Sequence, residues 1–117
     1  MKTATNQAGA RAEEICADFL RVAGLRIVAR NWRCRHGEID LVAEDGATLV
    51  FAEVRLRRSG GFGGAAESIT QAKRDRLRAA AGLYLAGKRE RPCRFDVLLL
   101  DALDPPRIEW IRDAFGD

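Results

Sequence analysis

Cysteine is too scarce and too scattered in this chain to build a framework. Cys16, Cys34 and Cys93 form no C-x-x-C pair, their number is odd, and His36 is the only histidine among 117 residues. Neither a zinc site nor a disulfide scaffold is indicated, and a reducing interior fits best. Hydrophobic runs are short. None approaches the roughly 20 apolar residues of a membrane helix. The opening MKTATNQAGA has no apolar signal core, so a cytoplasmic protein without membrane contact is expected. No Walker-type Lys-Ser/Thr follows the glycine-rich stretch at 60–64, which argues against a nucleoside-triphosphate site. Repeats and low-complexity tracts are missing as well.

What remains is the composition of a globular protein, 47% hydrophobic and 32% charged. One domain over residues 1–117 is expected, with 1–8 as a loose tail. The net charge of +3 hides heavy use of arginine. Arg57 and Arg58 follow Arg55 closely, and Lys73, Arg74, Arg76 and Arg78 crowd a later segment. Arginine suits bidentate phosphate contacts, so this pattern fits a nucleic-acid partner; it equally fits a solvated helix face.

The most informative stretch is GEIDLVAEDGATLVFAEVRLRR at 37–58. Residues 38–43 alternate polar and apolar, residues 49–56 are rich in β-formers, and Asp45-Gly46 between them signals a tight hairpin. With Asp45-Gly46 as the central turn pair, Glu44 faces Ala47, Asp40 faces Phe51 and Glu38 faces Glu53. Glu38, Asp40, Glu53 and Arg55 then share one face. Asp40 and Glu53 become diagonal neighbours, about 7–8 Å apart at their backbones. Two readings fit such a face: the wet side of a half-exposed sheet, or carboxylates gathered around a hard divalent cation such as Mg²⁺.

A helix is expected from about Gly9 to Ala23, with Ala12, Ile15, Cys16, Phe19, Leu20 and Ala23 as its apolar stripe and Gly24 as its stop. Glu13 lies on the margin of that stripe and can lean toward a sheet, whereas Glu14 points to water. Residues 25–33 form a first strand, and 34–37 the turn into the hairpin, with His36 a minor candidate for proton transfer or phosphate contact. The glycine-rich segment 57–64 is read as a flexible connector or a phosphate-binding loop. Ser68 and Gln71 fit a capping box for a second helix, buried through Ile69, Ala72, Leu77, Ala80, Ala81 and Tyr84 and ended by Gly87. Residues 95–100 read as a central strand and 107–111 as an edge strand. The order α-β-β-β-α-β-β predicts an α/β fold, a mixed sheet with a helix on each side.

These residues resemble a known pattern. An acidic residue on the first helix, then Asp, then Glu-x-Lys on the next strand is the pattern of PD-(D/E)xK nucleases, matched here by Glu13, Asp40 and Glu53-Val54-Arg55. More narrowly the chain resembles the bacterial YraN family of endonuclease-like proteins, themselves similar to archaeal Holliday-junction resolvases. The matching stretches are Gly9–Glu13, RNWRCRHGEIDLV at 30–42, VFAEVRLRRSGGFGGAAESIT at 50–70, RFDVLL at 94–99 and IEWIRDAF at 108–115. The resemblance implies a restriction-endonuclease-like three-layer sandwich and an endonuclease dependent on Mg²⁺ or Mn²⁺. Its substrate would be branched or structured DNA, or RNA. Asp40, Glu53 and Glu13 would hold metal, with the Val54 carbonyl a further oxygen. Arg35, Arg57, Arg58, Gln71 and Lys73 would contact nucleic acid, and a two-fold homodimer is implied. The departure is Arg55 in the lysine position: a guanidinium stabilises charge but cannot release its proton. Lys73 is the alternative source of an ammonium. Beside the nuclease stand two other readings, a non-catalytic nucleic-acid-binding protein and a subunit pairing through the edge strand near Trp110.

Overall fold

The computed structural model describes residues 7–56 and 69–115. The expected tail, Arg57 and Arg58, the glycine-rich segment and Ser68 therefore lie outside the described residues, apart from Gln7 and Ala8, which open the first helix. Seven elements follow the expected order: α1 (Gln7–Val22), β1 (Arg26–Cys34), β2 (Gly37–Asp45), β3 (Thr48–Leu56), α2 (Gln71–Leu85), β4 (Cys93–Leu103) and β5 (Pro106–Ile111). The strands form one sheet in the order β1-β2-β3-β4-β5. Only β3 and β4 run parallel, joined by the crossover that contains α2. The chain is a three-layer α/β sandwich.

α1 buries Ala12, Cys16, Ala17 and Leu20. They pack with Leu41, Ala43, Val50, Ala52, Leu98 and Leu100 on one face of the sheet. The helix stops as its sequence dictates. Gly24 takes φ +101°, its N–H donates to the Arg21 carbonyl at 3.0 Å, and the Leu25 N–H donates to the Leu20 carbonyl at 2.9 Å. This is the paired bonding of a Schellman stop, for which a positive φ favours glycine. Ala23, expected on the apolar stripe, lies past this stop and is exposed.

On the opposite face Val42, Phe51 and Ile39 pack with Ala80 and Ala81 of α2. Its N-cap is Thr70, whose hydroxyl accepts the Lys73 N–H at 3.2 Å. The expected Ser68 cap is thus corrected: Gln71 is the first helical residue, not the third. Ala72 is exposed, against expectation, because 3.6 residues per turn put it about 140° round the helix from Leu77, while Leu77, Ala80 and Ala81 are buried. Thr70→Ala is expected to cost about 1 kcal/mol of stability in urea unfolding, the usual worth of an N-cap hydroxyl.

The hairpin register differs from expectation by one turn residue. Asp45 pairs with Thr48, Glu44 with Leu49, Val42 with Phe51 and Leu41 with Ala52. Gly46 and Ala47 are therefore the central residues, and only Gly46 has positive φ, at +60°. That is the requirement of a type II′ turn, with glycine in the first central position. Asp40 is consequently level with Glu53 rather than with Phe51.

Candidate metal-binding cleft

The β2–β3 pairing ends at Leu41↔Ala52, one residue before Asp40 and Glu53. Strict alternation also fails here. Ile39 and Val42 pack on the α2 side, whereas Leu41 and Ala43 pack on the α1 side. Two residues three apart share a face only if the strand is locally irregular between them. Asp40 lies in that irregular step. Beyond the ladder, the Val54 N–H donates to Asp40 Oδ2 at 2.9 Å.

Where the two strands part, residues from helices on opposite faces of the sheet reach one cleft of about 370 Å³. α1 contributes Glu13, β2 contributes Glu38 and Asp40, β3 contributes Glu53 and Arg55, and α2 contributes Lys73, Arg76 and Leu77; His36 and Gly37 lie at its rim. Carboxylate oxygens of Glu13, Glu38 and Asp40 all lie within 4.8 Å of one another. Glu53, only 5% exposed, lies beside them and pairs through Oε2 with Lys73 Nζ at 3.0 Å and Arg55 Nε at 3.4 Å.

The electrostatics follow from this crowding. Burial, then the neighbouring Glu53 carboxylate, then Glu13 and Glu38, push the Asp40 carboxyl up from 3.8 to about 7, against the lowering effect of the Val54 N–H. Beneath it the Cys16 thiol is pushed up to about 12, first by burial and then by Asp40 and Glu13. Such a thiol is inert packing rather than a nucleophile. A hard divalent cation fits these residues chemically. All the donors are oxygens, and metal–oxygen distances of about 2.0–2.6 Å let ligand atoms up to about 5 Å apart share one ion, a limit that the three carboxylates meet.

Of the residues expected at the site, Glu13, Asp40, Glu53, Arg55 and Lys73 line the cleft together. Gln71 and Arg35 do not line it. The Gln71 side chain donates to Asp75 Oδ1 at 2.9 Å, and Arg35 is exposed in the β1–β2 turn. Arg57 and Arg58 lie outside the described residues. Glu38 was expected on the shared acidic face but not among the metal ligands, and Arg76 was not singled out for the site. For Glu38 the signal was present in its i, i+2 relation to Asp40; for Arg76 only the phase of α2 reveals it. No described helix is long and apolar enough to cross a membrane.

Comparison with known proteins gives consistent relatives. A UPF0102 protein of Methylobacillus flagellatus is 51% identical over 110 residues, covering 94% of this chain and 97% of that one. A UPF0102 protein of Nitrosococcus oceani is 49% identical, covering 98% and 97%. One of Nitrosomonas europaea is 48% identical, covering 100% and 99%. The family model described as "Uncharacterised protein family UPF0102" matches residues 12–100. With most of its length matched in this way, the chain belongs to the uncharacterised protein family UPF0102, the YraN family to which its motifs pointed.

Proposed function

We propose that the protein is a metal-dependent endonuclease that hydrolyses phosphodiester bonds in branched or structured DNA. The observation that carries this reading is the gathering of carboxylates from α1 and β2 beside Glu53 of β3. Packing gives no reason to hold such groups together, because each raises the cost of ionising the next. Four carboxylates and three permanent cations line the cleft, a formal charge of −1 with His36 neutral. A divalent cation turns that to +1, opposite in sign to a phosphodiester.

Glu13, Glu38 and Asp40 would hold the cation, with Glu53 adjacent. Once bound, it supplies charge stabilisation at the phosphate and activates water for attack. The Val54 N–H fixes the Asp40 carboxylate. Arg55, paired with Glu53 at 3.4 Å, offers a permanent positive charge to the phosphate and takes no proton. The choice of branched DNA, and a two-fold dimer to span it, rest on the resemblance to junction resolvases.

A second reading has one specific observation in its favour. Arg55 stands where the nuclease pattern has lysine, which suits a non-catalytic nucleic-acid-binding protein that keeps the fold. Incubation of a labelled four-way junction with Mg²⁺, Mn²⁺ or EDTA, with duplex and single-strand controls, separates the two. The nuclease reading expects metal-dependent incision, reduced on the order of a thousandfold in Glu53→Ala. Tight binding without incision under any metal would instead support the second reading.

A further inference from the structure

The four basic residues at the start of α2 look alike in the sequence but diverge in space. Arg74 and Arg78, four apart, both lie over the Phe115 ring, at 5.4 and 5.9 Å from its centroid. Lys73 and Arg76, three apart, line the cleft. The helical repeat accounts for the division, since i, i+3 and i, i+4 neighbours share a face while adjacent residues do not. Lys73 is anchored by Glu53 at 3.0 Å. Arg76 is exposed, and no ion pair or hydrogen bond engages its guanidinium among the described residues. Its long donor-rich side chain thus stands at the rim of a cleft whose carboxylates outnumber its cations, about 5–6 Å along the helix from Lys73 at the Cβ atoms.

We infer that Lys73 and Arg76 form a two-point grip on one nucleic-acid strand. Lys73 contacts the phosphate that faces Asp40 and Glu53, and Arg76 contacts a neighbouring phosphate on the same strand. The inference rests on the nuclease reading for which phosphate reacts, but the grip is a property of binding and needs no metal. Its chemistry is that of backbone recognition, so it carries no base preference. Lys73 completes the positive side of the cleft from the helix, a place in the fold distinct from the strand position held by Arg55. Arg74 and Arg78 take no part.

The test is equilibrium binding of a fluorescein-labelled four-way DNA junction to the full chain in EDTA, across a salt series. Arg76→Ala and Lys73→Ala should each reduce the slope of log affinity against log salt by about 0.9, the value for one lost phosphate contact on duplex DNA. Arg78→Ala should leave the slope unchanged and serves as a control on the same helix. In Mg²⁺, Lys73→Ala should also reduce single-turnover incision by about 100-fold or more. Arg55→Lys in the Lys73→Ala background should recover part of that loss. Unchanged slopes in both the Arg76 and Lys73 variants, or an equal change in Arg78→Ala, would overturn the grip even if the wild type cuts. Reduced slopes with no incision by the wild type would uphold the grip and defeat the nuclease reading instead.

Discussion

Asp40→Asn is expected to abolish incision and, at the same time, to stabilise the metal-free protein at pH 8. The asparagine Oδ1 can still accept the Val54 N–H that Asp40 Oδ2 accepts at 2.9 Å. What it lacks is a charge beside Glu13, Glu38 and Glu53. The Asp40 carboxyl in the fold is raised from 3.8 to about 7, so the folded state holds this proton more tightly than the unfolded chain. Its contribution to stability is complete below about pH 4 and is lost as pH rises through about 7. Three pKa units at about 1.4 kcal/mol each bound the difference at about 4 kcal/mol at pH 8 in EDTA. Relaxation and water penetration in the cleft make the actual difference smaller than this bound. Urea unfolding at pH 4 and pH 8 checks the expectation. Wild type and Asp40→Asn should coincide at the lower pH and separate at the higher one, with the variant more stable. Equal stability at both values would show that the carboxylates do not strain the fold.

The largest loss of stability is expected away from the cleft, at Asp96. This carboxylate is 0% exposed. Its Oδ1 accepts Arg94 Nε at 3.0 Å and the Asp113 N–H at 2.9 Å, and its Oδ2 accepts Trp110 Nε1 at 2.9 Å. It therefore ties β4 to β5 and to the segment after β5, while Arg94 also reaches Asp45 beside the hairpin turn at 3.0 Å. Asp96→Ala removes the acceptor, leaving an indole N–H and a backbone N–H without a partner and Arg94 with Asp45 alone. Breaking a buried pair in this way costs about 3–5 kcal/mol. Replacing Arg94 and Asp96 together by apolar residues of similar size should recover only part of that loss, because Asp45, the Trp110 indole N–H and the Asp113 N–H still lose their partners. Urea unfolding of the single and double variants measures both. The folded fraction of Asp96→Ala should bind Mn²⁺ as the wild type does, since Asp96 is not a cleft residue.

The fold was legible because its signals are local. The period of α1, the glycine after it, the apolar run of β4 and the turn signals between strands each act within a few residues, and together they gave the element order. The hairpin shows where local reading fails. Asp45-Gly46 marks a turn, but the register depends on whether glycine takes the first or the second central position. That choice moved Asp40 from opposite Phe51 to level with Glu53, and the irregular step between Ile39 and Val42, which no local signal marks, turns it toward Glu13 of α1. The start of α2 failed for a similar reason, since Thr70 competes with Ser68 for the cap and lies nearer the helix. Within the cleft, Glu13, Asp40, Glu53 and Arg55 could be singled out by motif. The closeness of Glu38 to Glu13, and the separation of Lys73 and Arg76 from Arg74 and Arg78, arise only when strands part and helices dock.

If the fold gathers these carboxylates to hold a hard divalent cation, the metal-free protein must take one up. Calorimetric titration of Mn²⁺ into the metal-free protein at pH 6, repeated in two buffers of different ionisation enthalpy, tests it most directly. Saturable binding with proton release is expected, because Asp40 is largely protonated at that pH and must ionise to act as a ligand. Asp40→Asn should bind at least about tenfold more weakly, without that proton release. Mn²⁺ binding that is equally tight in Asp40→Asn, or no saturable binding by the wild type, would show that these carboxylates are not gathered to hold a cation.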